Sequence, residues 1–166
     1  MTAAIISATT PTELAAAATL FRAYADALDI DLAYQDFTRE LAALPGKYAP
    51  PRGALLLAVD GDGTALGCVA LRPFGDGDAC EMKRLYVAPA ARGTGLGRAL
   101  VAAIVGEARK TGYARMLLDT LPSMGAAQAM YGRAGFTVTA PYYATPVAGT
   151  IFMAIDLRSG RSAHTP

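Results

Sequence analysis

Apolar and polar positions follow two rhythms along this chain. Leu14, Ala17, Ala18, Phe21, Tyr24, Ala25 and Leu28 recur at helical spacing and predict a helix with one buried stripe. Thr10 or Thr12 caps it, Pro11 suits its first turn, and Glu13 stands near its positive end. Residues 3–8, with Ile5 and Ile6, read as a strand before it. A second helix is predicted over residues 33–44, turning Tyr34, Phe37, Leu41 and Leu44 inward until Pro45-Gly46 stops it. Residues 47–53, with prolines at 50 and 51, read as an ordered loop.

The rhythm then becomes that of strands. Residues 54–59 and 64–71 flank Asp60-Gly61-Asp62-Gly63, a hairpin signal, and Gly75-Asp76-Gly77-Asp78 marks a second turn into a strand over residues 80–88. On that strand the apolar positions run Met82, then Leu85 and Val87. The step from 82 to 85 breaks the period of two, so a bulge is expected near Lys83 or Arg84. Pro89 ends the strand, and Gly93, Gly95 and Gly97 lead into a helix over residues 95–111 closed by Gly112. A strand at 114–120 completes a βαβ unit with parallel strands. A helix from Ser123 or Met124 to Arg133 follows. Strands at 136–139 and 149–157 close the chain, with a loop at 141–146 containing Tyr142 and Tyr143.

Glycines between a strand and a helix allow main-chain N–H groups to converge where the helix's first unpaired donors also point. Backed by the helix dipole and flanked by Arg92 and Arg98, such a turn fits a phosphate or diphosphate. The spacing excludes a P-loop, which needs Gly-Lys followed by Ser or Thr. It also excludes a dinucleotide fingerprint, whose last glycine would fall on Arg98 or Leu100.

Composition narrows the chemistry. The 166 residues are 53% hydrophobic and 17% charged, with net charge +1, which argues against disorder and against a general electrostatic grip on nucleic acid. Residues 1–157 read as a single domain and 158–166 as a flexible tail. With neither a signal peptide at the start nor a run of about 20 apolar residues, a soluble cytoplasmic protein is expected. Cys68 and Cys80 read as reduced, buried, small apolar residues. The only histidine, His164, lies in the tail, so histidine-based triads and zinc sites are not expected, and no metal is. The aspartate-rich turns lack EF-hand spacing.

The string Arg92-Gly93-Thr94-Gly95-Leu96-Gly97 resembles the acetyl-CoA diphosphate loop of the GNAT superfamily of N-acetyltransferases, whose signature is Gln or Arg, two residues, Gly, one residue, then Gly or Ala. A second stretch, from Ala126 to Phe136, is similar to the superfamily's Ala-x-x-x-Leu-Tyr-x-x-x-Gly-Phe helix, with Met130 in the leucine's place. The resemblance implies an α/β (α+β) fold with a central mixed, mostly antiparallel, twisted sheet. About six to seven strands and about four flanking helices are expected. It further implies acetyl-CoA as cosubstrate. Backbone groups of Leu85, Tyr86 and Val87 would hold the pantetheine arm. Arg92, Gly93, Thr94, Gly95, Leu96, Gly97 and Arg98 would hold the diphosphate. Many members carry Asn seven residues before the helix tyrosine; here that position is Met124.

On this resemblance Tyr131 is the general acid for the departing thiolate, and it touches the cofactor; the alternative is an aromatic packed on the sheet. Glu81 is the base for the amine; the alternative is a cross-strand ion pair with Arg72 or Lys83. A carboxylate accepts the proton directly or through water, and a phenol's pKa near 10 lies close enough to a thiol's at ~8.5 for proton transfer. Tyr34, Tyr48, Tyr142 and Tyr143 are the aromatics expected to face the acceptor. The function implied is N-acetylation of a primary amine on a small molecule or amino-acid-like compound. The alternatives are acetylation of proteins or peptides, or a non-catalytic acyl-CoA sensor. Partners expected are the amine and a second copy in a homodimer, with neither nucleic acid nor membrane.

Overall fold

The computed structural model describes residues 3–28, 31–75 and 77–158. Asp76 of the second turn, His164 and the tail beyond Arg158 lie outside the described residues, as does the side chain of Tyr34.

Among the described residues the chain runs β1 (Ala4–Ser7), α1 (Pro11–Leu28), α2 (Phe37–Ala42), β2 (Ala54–Val59), β3 (Ala65–Phe74) and β4 (Ala79–Val87). It continues through α3 (Leu96–Thr111), β5 (Arg115–Thr120), α4 (Gly125–Arg133), β6 (Thr137–Thr139) and β7 (Ile151–Asp156). Short 3-10 segments cover Leu32–Gln35, Gly46–Tyr48 and Pro89–Ala91. The strands form one seven-stranded sheet in the order β1-β2-β3-β4-β5-β7-β6. Only β4 and β5 pair in parallel; every other neighbouring pair is antiparallel. The architecture is the mixed, mostly antiparallel sheet with four α-helices that the sequence predicts.

Each face of the sheet has its own core. Leu56, Val69, Leu71, Met116 and Leu118 pack under Leu100 and Ile104 of α3 and Tyr131 of α4. Leu55, Leu57, Cys68 and Ala70 pack under Ala17, Leu20 and Phe21 of α1. Strand alternation produces this division, since residues 55 and 57 face one side and 56 and 58 the other.

Local chemistry sets the element ends. Thr10 accepts from the Glu13 N–H at 3.2 Å while Glu13 accepts from the Thr10 N–H at 3.0 Å, a reciprocal capping box that opens α1. The predicted second helix is interrupted. Residues 32–35 form a 3-10 turn, Asp36 takes a left-handed conformation at φ 58°, and α2 begins only at Phe37. The break lets Gln35 point at β4 while Phe37 and Leu41 still reach the core, a demand that local periodicity does not carry.

Candidate active site

The bulge predicted on β4 is present. Cys68 of β3 opposes Tyr86, whereas Ala70 opposes Lys83, so β4 carries one extra residue there. Arg84 sits at φ 63°, a left-handed conformation that a non-glycine residue adopts at some cost. The Cys68 thiol donates to the Arg84 carbonyl at 3.2 Å, giving a partner to a group freed from the ladder. Both cysteines are buried free thiols. The bulge also puts two consecutive side chains on the α1/α2 side, since Lys83 Nζ and Arg84 Nη1 both donate to Gln35 Oε1, at 3.1 and 2.8 Å.

Beyond the bulge the sheet opens. β4 and β5 pair over Ala79↔Arg115, Cys80↔Met116 and Glu81↔Leu117, and then part. A groove of about 630 Å³ runs from this splay toward the start of α3. Leu85, Tyr86 and Val87 of β4 line it, with Gly93, Gly95, Leu96 and Gly97 of the glycine turn and Ala126 and Met130 of α4. Gly93 and Gly95 have φ 80° and 87°, and Gly95, which caps α3, supplies no side-chain acceptor to the first-turn N–H groups. Those donors therefore remain available to an anion.

Arg92, Arg98 and Arg133 line the same groove, and among the described residues no carboxylate does. Arg92 Nε donates to the Val87 carbonyl at 3.0 Å, and its guanidinium lies over the Tyr86 ring. Thr94 does not line the groove; its hydroxyl donates to the Ala91 carbonyl at 2.6 Å and braces the turn. Arg133 was not singled out by the motif, because its contribution comes from α4 folding back beside α3.

A smaller cavity of about 40 Å³ continues the groove through the splay. Tyr24, Leu28, Leu85, Leu121 and Met124 line both spaces. Met82, Leu118, Thr120 and Tyr131 contribute the α4 side of the cavity; Gln35, Lys83, Arg84 and Asp119 contribute the α1/α2 side. Met124, at the position where the resemblance implies Asn, forms part of the wall. Tyr131 is 6% exposed, its ring edge-on to Phe136. Burial raises its phenol pKa, reinforced by nearby Tyr24 and Asp119, so the hydroxyl stays protonated through the neutral range.

A connected set of charges occupies the α1/α2 side of the splay. Glu81 is 1% exposed and accepts from Arg72 Nε at 2.9 Å and Nη2 at 2.8 Å, with Lys83 Nζ 4.0 Å away. Its other oxygen accepts from the Tyr142 hydroxyl at 2.6 Å. Both ion pairs that the sequence offers as the alternative for Glu81 are thus formed. Arg84 is held bidentately by Glu40 at 2.8 and 3.1 Å. Tyr143 donates to Asp119 Oδ2. Burial lowers the Lys83 ammonium pKa, with Glu81 opposing the shift and Arg84 adding to it. Burial, then the Glu81 carboxylate, raises the Tyr142 phenol.

Tyr48 is buried edge-on to Phe21 and borders a separate cavity of about 190 Å³ with Gln35, Lys47 and Arg72. The sequence carries no site signal for Tyr24, Gln35 or Asp119, and places Lys83 only at the bulge and as an ion-pair partner of Glu81. Tyr24 reads as one more apolar step of a helix, and Gln35 and Asp119 acquire meaning only through the break before α2 and the splay. Among the described residues no cluster of His, Cys, Asp and Glu could hold a metal, and no helix is long and apolar enough to cross a membrane.

Known proteins are similar to this chain in sequence and fold. The model of the Acetyltransferase (GNAT) family matches residues 16–136. An uncharacterised N-acetyltransferase of Schizosaccharomyces pombe is 44% identical over 138 residues, covering 83% of this chain and 85% of the relative. An aminoglycoside N(6')-acetyltransferase type 1 of Klebsiella aerogenes is 37% identical over 113 residues, covering 64% of this chain and 74% of its own. A GNAT superfamily phosphinothricin acetyltransferase of Sinorhizobium meliloti, solved in complex with AcCoA, has the same fold. Its TM-score is 0.68 at 19% identity, over 94% of this chain and 89% of that one. A match running from within α1 past the end of α4, through the residues that build the groove, places this chain in the Acetyltransferase (GNAT) family as an acyltransferase.

Proposed function

We propose that this protein transfers the acetyl group of acetyl-CoA directly to a primary amine on a small molecule or amino-acid-like acceptor. The observation that carries the reading is the groove: three arginines, no carboxylate among the described residues, two left-handed glycines and an uncapped helix start at one end, and an opening through the sheet at the other. That charge pattern suits a diphosphate. The apolar wall from Leu85 to Val87 suits a pantetheine arm, which the parted strand can bind through its main chain. AcCoA in the Sinorhizobium meliloti neighbour and the aminoglycoside activity named for the Klebsiella relative point the same way.

The acceptor approaches from the α1/α2 side. Gln35 borders both the 40 Å³ cavity and the 190 Å³ cavity, so an amine can enter the first while its body rests against Tyr48, Lys47 and Arg72 in the second. Tyr131 gives its proton to the thiolate as the C–S bond breaks. Glu81 and Asp119 are the carboxylates close to the splay, and Glu81 is the one its motif position nominates as base. Buried free thiols at Cys68 and Cys80 suit a reducing compartment such as the cytoplasm.

The test is free-thiol release from acetyl-CoA in the presence of spermidine, L-lysine, kanamycin and tyramine, with coenzyme A binding followed by calorimetry. Saturable binding and acceptor-dependent thiol release are expected. Binding without release for any amine would make the protein a sensor; no binding heat would remove the acyl-CoA reading altogether.

A further inference from the structure

Among the described residues two carboxylates flank the splay, and the cavity reaches only one of them. Glu81 is 1% exposed and absent from the cavity wall, with Arg72 on one oxygen and Tyr142 on the other. Asp119 lies on the wall together with Tyr131, Thr120 and Lys83, and its hydrogen-bond donor is a single neutral phenol, Tyr143. We propose that Asp119, held by Tyr143, receives the proton of the acceptor amine, and that Glu81 is a positioning residue fixing Arg72, Lys83 and Tyr142 around it. This rests on the acetyl-transfer reading above.

Three features support the assignment. Strand geometry places Asp119 two residues past Leu117, where β5 last pairs with β4, so its carboxylate stands at the mouth of the opening. Thr120, the next residue, has a buried hydroxyl without a hydrogen-bond partner among the described residues and lines the same cavity from the α4 side. A buried orphan hydroxyl beside open space marks that space as built for a polar occupant. Finally, Glu81 neutralises cations that would otherwise repel an incoming amine, work that a carboxylate carrying a transferred proton would interrupt.

The charged and titratable groups around Asp119 are Glu81, Lys83 and Arg84 from β4, Tyr24 from α1, Tyr131 from α4, and Tyr142 and Tyr143 from the loop before β7. In the step itself the neutral amine nitrogen attacks the thioester carbonyl carbon and a C–N bond forms. One nitrogen proton passes to Asp119. The C–S bond then breaks, its electron pair leaves on sulfur, and sulfur takes the Tyr131 proton. Asp119 ends protonated and Tyr131 deprotonated, and water restores both.

The experiment uses the best acceptor from the amine panel. Asp119→Ala is expected to lower kcat/KM for that amine by ~10²-fold or more, with coenzyme A affinity unchanged and activity partly restored by added formate. Tyr143→Phe, which leaves the carboxylate in place, is expected to lose less. Wild-type turnover in Asp119→Ala would overturn the proposal, as would loss of coenzyme A binding, which signals a structural role. Formate rescue in Glu81→Ala but not in Asp119→Ala would overturn it in favour of Glu81. If no amine accepts although coenzyme A binds, the acetyl-transfer reading falls first and this assignment with it.

Discussion

At Tyr131 packing and the proposed chemistry separate by atom: the ring belongs to the core, and the hydroxyl is the group we propose as proton donor to a departing thiolate. Tyr131→Phe should therefore keep the ring contact with Phe136 and its stability, while kcat falls by ~10²-fold or more. Unchanged turnover at saturating substrate, with an unchanged melting temperature, would remove the tyrosine from the mechanism. This residue was legible because a tyrosine at fixed distance from Gly135-Phe136 is a pattern within one helix. The Arg92–Gly97 turn was legible for the same reason, its donors lying within a few residues of each other. Asp119 was not, since an aspartate near the end of an apolar strand reads as an exposed terminus. Only the loss of pairing beyond Glu81↔Leu117 turns it toward a cavity.

Elements were legible where their signal is local and obscure where a distant partner decides. The bulge followed from one misplaced apolar step, and the structure adds how it is held, through Cys68 on the neighbouring strand. The start of α1 is equally local. Thr10→Ala should cost about 1 kcal/mol of stability by removing one arm of the capping box, while Thr12→Ala should cost little. Equal urea midpoints for the two variants would refute that placement of the cap. The break before α2 shows the opposite case. An apolar stripe from Tyr34 to Leu44 predicts one continuous helix, but the buried Lys83 and Arg84 join the half-buried Gln35 and Glu40 in a polar chain that a continuous helix would misalign. Satisfying buried charges outweighs a few tenths of a kcal/mol per residue in helix propensity.

Across the whole molecule the buried weak acids set the alkaline limit. Burial raises the thiol pKa of Cys68 and pushes Cys80 up to about 12. Burial likewise raises the phenols of Tyr48, Tyr131 and Tyr142. Their folded pKa values exceed the unfolded ones, so their contribution is complete below the unfolded values and is lost as pH rises through the folded values. Stability should decline from pH ~8.5, where unfolded thiols ionise, and more steeply above pH ~10, each group adding about 1.4 kcal/mol per pH unit. Lys83 acts in the other direction. Its folded pKa is lowered, so between that value and ~10.4 it adds stability as pH rises, a single group set against several. Urea midpoints measured from neutral pH upward should fall in this two-stage manner; a flat profile would contradict the burial of these groups.

Strand order carries one more consequence. β7 is translated after β6 yet lies between β5 and β6. On the ribosome, then, β6 emerges with its only sheet neighbour still unmade, and β5 waits with one flank bare through the synthesis of α4 and the tyrosine loop. A nascent chain stalled before Ile151 displays that bare flank, Met116-Leu117-Leu118, as a template for another chain. Release of the last strand is what seals it.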